Sequence, residues 1–279
     1  MHVATSHAEL RATLSTGAVF VPTMGALHEG HASLIRHAAA VHKGPVVVSI
    51  FVNPTQFNDP ADFARYPKTL DADLAICERS GATHVYAPTP HDVYPTDAPI
   101  PVPPLPRVAT APGLEDKLRP GHFAGVCQVV RRLFDLVQPA AALFGEKDWQ
   151  QLQVLSAMTR ETRLPIRIIP GPTIREPDGL AMSSRNRFLT SDERPRAAAI
   201  SRALREAATK PTSAAAEAHM HDVLLAAGLE TQYAVVRDAE SLEPPRDPAN
   251  AGRPYRALIA AKLGTVRLID NAPWPIPQS

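Results

Sequence analysis

The run Val-Val-Val-Ser-Ile-Phe-Val at residues 46–52 narrows the possible folds of this chain more than any other stretch. It is apolar and mostly β-branched, lacks alternation, and follows Gly44-Pro45. Such a strand is buried on both faces, as in a parallel sheet covered by helices. The neighbouring segments fit that sheet. Residues 18–21 read as a short buried strand ended by Pro-Thr-Met-Gly, and 29–42 as a helix with Leu34, Ile35 and Ala38 at helical spacing. Residues 62–80 carry a helical pattern interrupted by Pro67 and capped by Gly81, and 83–87 form another strand. Segments 123–136, 141–144, 149–160 and 166–169 continue as helix, strand, helix, strand. This alternation predicts an α/β fold with a doubly wound parallel sheet.

Two regions depart from the alternation. Residues 88–120 hold ten of the 29 prolines and read as a surface excursion without regular structure, either a lid over a site or a passive insertion. Beyond about residue 176, two Ala-rich helices (191–209, begun by Thr190, Ser191 and Glu193, and 214–227) precede three strands (233–236, 256–262, 266–269). Helices followed by strands predict a second, smaller α+β domain, with domains at 1–175 and 176–279.

Composition removes several functional classes. Lys+Arg (29) balances Asp+Glu (28), so no basic surface exists for nucleic acid or an anionic membrane. Aromatics are 5%, too few for stacking on single-stranded bases. Cys77 and Cys127 form neither a disulfide ladder nor a zinc pattern and are expected in the core. The start of the chain lacks a basic and then apolar leader, and no apolar run approaches a membrane span, so a cytoplasmic protein is expected.

Four motifs carry chemistry. In Pro22-Thr-Met-Gly-Ala-Leu-His-Glu-Gly-His31, His28 and His31 are three apart and expected on one face of a first helical turn, after a strand. Gly25 and Gly30 allow close backbone approach, and a helix start attracts phosphate. A structural pair or a metal pair remains open, although the spacing is not His-Glu-x-x-His and no third ligand is near. In Phe51-Val-Asn-Pro-Thr-Gln-Phe57, Asn53 and Gln56 offer neutral hydrogen-bonding groups for hydroxyls and carboxylates. In Gly145-Glu-Lys-Asp-Trp-Gln-Gln151, Lys147 can offset phosphate charge, and Asp148 can hold a ribose hydroxyl or cap a helix. In Leu180-Ala-Met-Ser-Ser-Arg-Asn186, two hydroxyls and a guanidinium suit a polyphosphate.

In this order, with YPKTLDADL (66–74) and GHFAGV (121–126) between them, the motifs resemble the pantoate–β-alanine ligase family over nearly the whole chain. PTMGALHEGH resembles that family's HIGH-type nucleotide motif. The resemblance implies a Rossmann-like N-terminal domain of the nucleotidylyltransferase superfamily, a C-terminal lid domain and a homodimer. It implies that pantoate attacks ATP to give pantoyl adenylate and pyrophosphate, that β-alanine then displaces AMP, and that Mg2+ is required. By the same resemblance, ATP would be held by Met24, Gly25, Ala26, Leu27, His28, Glu29, Gly30, His31, Gly145, Glu146, Lys147, Asp148, Ile174, Met182, Ser183, Ser184 and Arg185. His28, His31, Lys147, Ser183, Ser184 and Arg185 would act on the phosphates, with His31 as proton donor. Gln56 and Gln151 would hold pantoate, Gln56 would also contact β-alanine, Asp73 would ligate magnesium, and Arg119 and His122 would guard the pocket. Two positions depart from the family pattern. Trp149 replaces a usual Tyr and is expected to pack while losing a hydroxyl bond, and Thr55 replaces Met or Leu beside the substrate. The alternatives are another HIGH-type nucleotidylyltransferase, a nucleotide-binding regulator and a metal-dependent hydrolase.

Overall fold

The computed structural model describes residues 1–57, 60–245 and 254–275. Residues 276–279 lie outside them. The chain forms two compact units, one of Met1–Glu146 with Gln150–Pro172, the other of Lys147–Trp149 with the chain from Thr173 onward.

The first unit carries β1 (His2–Ala4), α1 (His7–Thr13), β2 (Val19–Thr23), α2 (Glu29–Val41), β3 (Val46–Ile50), α3 (Pro60–Arg65), α4 (Leu70–Arg79), β4 (His84–Tyr86), α5 (Pro90–Val93), α6 (Glu115–Leu118), α7 (His122–Val137), β5 (Ala141–Gly145), α8 (Trp149–Glu161) and β6 (Arg167–Gly171). Its six strands form one parallel sheet in the order β1-β4-β3-β2-β5-β6. Val46, Val47 and Val48 are buried, as the unbroken apolar run requires. Val19, Val21, Ile35, Ala38, Val48, Cys77, Val85 and Leu143 share one core cluster, so strands, α2 and α4 close on one another. Chain order reverses at β2, which leads to β3 on one side and has β5 on the other. In open α/β sheets the crevice at the carboxyl ends of such strands receives ligands.

The proline-rich region is more ordered than its composition suggests. It holds α5, a 3-10 turn at Arg107–Ala109 and α6, and it buries Val93, Val108, Ala109 and Leu114. Prolines donate no ladder hydrogen bonds, and several carbonyls here are taken by side chains from the packed helices. Gln128 donates to Ile100 O (2.6 Å), Arg132 to Val93 O (3.1 Å) and Gln150 to Val108 O (3.0 Å). β1 and α1 escape a reading of the sequence because β1 has three residues and α1 seven; Ser6 caps α1, its Oγ accepting from Glu9 N–H at 3.3 Å.

In the second unit, α9 (Glu193–Ala197), α10 (Ala199–Ala207) and α11 (Ser213–Ala226) precede β7 (Glu230–Asp238), β8 (Tyr255–Leu263) and β9 (Val266–Trp274). The strands form an antiparallel sheet in that order. The expected single helix over 191–209 is interrupted at Ala198 (φ −62°, ψ −16°), which separates α9 from α10. Thr190 and Glu193 cap its start reciprocally, Thr190 N donating to Glu193 Oε2 (2.9 Å) and Glu193 N to Thr190 Oγ1 (3.2 Å). Ile200, Leu204, Met220, Leu224, Val236 and Ile259 are among its buried core residues.

Candidate active site

β2 delivers the first motif at the reversal point. After Thr23 the chain turns through Gly25 (φ +78°) and Ala26 (φ +50°) into α2. Ala26 holds a left-handed conformation that L-residues avoid, so the turn needs outside support. Asp73, 1% exposed at the start of α4, supplies it: its Oδ2 accepts Ala26 N–H at 3.0 Å and its Oδ1 accepts Leu27 N–H at 2.8 Å. Thr69 donates a third hydrogen bond to Oδ1 at 3.1 Å. The expected magnesium role of Asp73 does not fit this setting. Both oxygens are engaged inside the protein, and no group of three or more His, Cys, Asp or Glu able to hold a metal occurs among the described residues.

His28 is not in the first turn of α2 but precedes it as the N-cap, with extended backbone (φ −138°). Its Nδ1 accepts Gly30 N–H at 3.1 Å, and His31 Nδ1 accepts His28 N–H at 3.3 Å. The two imidazoles form a reciprocal capping box, with ring centroids 4.2 Å apart. A ring whose Nδ1 accepts a backbone N–H carries its proton on Nε2. Both histidines therefore hold Nε2–H donors at the positive end of a helix, the arrangement that favours phosphate oxygens. Glu29 is exposed and paired with Arg36, away from this arrangement.

β3 delivers the second motif. Asn53 is 1% exposed; its Nδ2 donates to Gln56 Oε1 (3.1 Å) and Gly125 O (3.2 Å), while its Oδ1 accepts from Tyr94 OH (2.8 Å). α7 reaches this turn only because residue 125 is Gly: a Cβ there would lie 2.4 Å from Thr55 O. Arg119 and His122, expected to guard a pocket, both contact the main-chain carbonyl of Gln56, Arg119 donating to it at 3.5 Å. His122 Nδ1 lies 3.0 Å from Gln56 O, which can only accept, so Nδ1 donates and Nε2 accepts from Arg119 at 3.1 Å. Of the two adjacent glutamines on α8, Gln150 is buried and bonded to Glu115 N–H (2.9 Å), Val108 O and Asp116, which leaves Gln151, partly exposed, as the one suited to a ligand.

In the second unit, Lys147 Nζ lies 3.8 Å from Asp148 Oδ1, with 20% of the lysine side chain exposed. Asn271 of β9 donates to Lys147 O at 2.8 Å. Trp149 does make a polar bond: its indole N–H donates to Ala239 O at 2.8 Å, and the Arg256 guanidinium lies 3.4 Å above its ring. Ile174 and Met182 face each other across a tight hairpin, Met182 N–H donating to Ile174 O at 2.9 Å. Ser183 Oγ accepts Arg185 N–H at 3.2 Å and starts the 3-10 turn Ser184–Phe188. The loop is braced by Asn186, which donates to Glu176 at 2.9 Å, and by Arg175, paired with buried Asp270. Arg194 beside Asp178 holds that carboxyl below the usual carboxylate range.

Comparison with known proteins agrees with this architecture. The family model for pantoate-beta-alanine ligase matches residues 2–273. A pantothenate synthetase of a Nocardioides species is 46% identical over 266 residues, covering 91% of this chain and 77% of the relative. The crystal structure of pantothenate synthetase from Thermus thermophilus superposes with a TM-score of 0.90 at 40% identity, covering 98% of this chain and 99% of that one. A pantoate-beta-alanine ligase from Francisella tularensis, complexed with beta-gamma ATP and beta-alanine, superposes with a TM-score of 0.79 at 34% identity, covering 98% and 97%. The chain therefore belongs to the pantoate–β-alanine ligase family.

Proposed function

We propose that this chain, an ATP-dependent ligase joining pantoate to β-alanine, works through a pantoyl adenylate. The reciprocal histidine cap carries the proposal, since it offers two Nε2–H donors at a helix start to a phosphate group. Pantoate's carboxylate oxygen attacks the α-phosphorus of ATP, and the bond to the bridging oxygen breaks, releasing pyrophosphate. The amine of β-alanine then attacks the activated carbonyl, AMP leaves with the carboxylate oxygen, and the amine gives up a proton. Phosphoryl chemistry of this kind asks the protein for positioning and charge neutralisation rather than a nucleophile. Lys147 and Arg185 supply the neutralisation, with Ser183, Ser184 and the Nε2–H groups of His28 and His31 as hydrogen-bond donors to the phosphates, His31 being the donor assigned to the departing pyrophosphate. Gln56 and Gln151 hold pantoate's oxygens through neutral amides, which cost less to desolvate than charges.

Residues 1–175 are assigned to nucleotide and pantoate binding and 176–279 to a lid. Magnesium would accompany the nucleotide, which such ions bind largely through phosphates and water. No step is assigned to it, because Asp73 is unsuited to hold it. The reading extends to a cytoplasmic homodimer, for which light scattering should give twice the 30.1 kDa chain mass.

Oxygen transfer tests the route. With carboxylate-labelled [18O]pantoate, ATP, magnesium and β-alanine, the AMP formed should carry one 18O. Unlabelled AMP would exclude the adenylate, and a dinucleotide product would favour another nucleotidylyltransferase activity.

A further inference from the structure

Tyr94, at the end of α5 in the proline-rich region, has no part in the reaction outlined above. Its hydroxyl donates to Asn53 Oδ1 at 2.8 Å, and its ring lies 6.2 Å from that of Phe51. Two main-chain groups fix the orientation of the Asn53 amide. Thr55 N–H, which can only donate, is 3.4 Å from Oδ1; Gly125 C=O, which can only accept, is 3.2 Å from Nδ2. Oxygen and nitrogen therefore cannot be exchanged. Tyr94 must donate to Oδ1, and the remaining Asn53 N–H must meet an acceptor. That acceptor is Gln56 Oε1 at 3.1 Å, which in turn fixes the Gln56 amide with its oxygen turned toward Asn53. Gln56 Nε2 then has two hydrogens to donate, and the acceptor beside it is the weakly accepting Met24 thioether at 2.8 Å.

We propose that Tyr94 is a positioning residue for pantoate: through Asn53 it holds Gln56 as a hydrogen-bond donor, matched to a ligand whose recognised groups are carboxylate and hydroxyl oxygens. This rests on the assignment of Gln56 to pantoate. Burial raises the Tyr94 pKa, which keeps the hydroxyl protonated and donating throughout the neutral range. Thr55 reinforces the same polarity, its Oγ1 donating to Asn53 Oδ1 at 3.1 Å. With the Asn53 acceptor satisfied on one side and its donors on the other, a reversed Gln56 amide would set N–H against N–H.

Initial rates on the full-length enzyme test the relay, with pantoate varied at saturating ATP and β-alanine. Tyr94→Phe removes the donor and keeps the ring. The pantoate KM should rise about 5-fold, the effect of one net hydrogen bond, while the ATP KM stays within twofold. Gln56→Glu keeps the acceptor for Asn53 and replaces the donor by a carboxylate, so it should raise the pantoate KM by far more at unchanged ATP KM. An impaired Gln56→Glu with a wild-type pantoate KM in Tyr94→Phe would overturn the Tyr94 role alone. A wild-type pantoate KM in Gln56→Glu would overturn the assignment of Gln56 itself. Equal rises in both KM values of Tyr94→Phe would mark general loosening and also overturn the proposal. Should Tyr94→Phe not fold, Asn53→Asp carries the test: it reverses the polarity offered to Gln56, and an unchanged pantoate KM would refute the relay.

Discussion

The side-chain amide of Asn271 donates to the main-chain carbonyl of Lys147 at 2.8 Å, tying a lysine that lies between β5 and α8 in sequence to strand β9. Arg256 Nε donates to Asn271 Oδ1, and Arg256 also covers the Trp149 ring, so Lys147–Trp149 is held from both ends by the C-terminal sheet. Asn271→Leu keeps approximate volume and removes both bonds. It should lower kcat/KM for ATP about 5–10-fold, in line with one or two lost hydrogen bonds, while thermal unfolding still shows a single folded protein. Wild-type kcat/KM would show that Lys147 needs no such tether.

Asp73 offers a test that separates support of the turn from metal binding. Asp73→Asn leaves one oxygen for two amides and sets an NH2 against the other, burying an unmet donor at a cost of about 1–3 kcal/mol. The strained Ala26 turn should loosen, with a raised ATP KM and a lower melting temperature. Titrating magnesium to high concentration should not restore the variant. Recovery with added magnesium would return Asp73 to the metal.

The histidine cap has separable parts. Gln at position 31 can still reach back to the N-cap amide, as capping boxes use Glu or Gln there. His31→Gln should therefore keep the melting temperature within a few degrees. The rate of adenylate formation should fall roughly 10²–10³-fold, the usual effect of losing a correctly placed donor to a charged transition state, because the Gln NH2 stands elsewhere than the imidazole Nε2–H. His31→Ala removes the cap as well and should cost about 1 kcal/mol more in stability. A wild-type rate in His31→Gln would remove the residue from the chemistry.

What was legible in the sequence follows the range of the interaction. The run at 46–52 declares a buried strand through its own side chains, and the structure has β3 there. The helix after Glu29 was equally visible, but His28 was misread as helical, because only backbone conformation distinguishes an N-cap from a first-turn residue. The support that Asp73 gives the turn was not legible because its partners, Ala26 and Leu27, are 47 and 46 residues away, and a carboxylate in a helix looks alike facing solvent or a distant loop. The proline-rich stretch looked unstructured because what holds it comes from Gln128, Arg132 and Gln150, outside it. Tyr94 went unnoticed for the same reason, its partner lying 41 residues back.

Stability toward acid should depend on His84. This residue on β4 is 6% exposed, stacks on His2 with centroids 5.1 Å apart, and lies beside Thr83 Oγ1 at 2.9 Å. Burial lowers its pKa; the Thr13 main chain opposes the shift, while His2 and the N-terminal amine add to it. The unfolded chain binds the proton near the ordinary histidine value of about 6.5, and the folded chain only at lower pH. Between those values the unfolded state holds more protons, so stability rises with pH there. The contribution is complete above about pH 6.5 and is lost as pH falls from there through the folded-state value. Melting temperatures measured from pH 7.5 to 5.5 should fall, and the fall should be shallower in His84→Gln, which has no proton to gain. An equally steep fall in His84→Gln would assign the acid sensitivity to other groups.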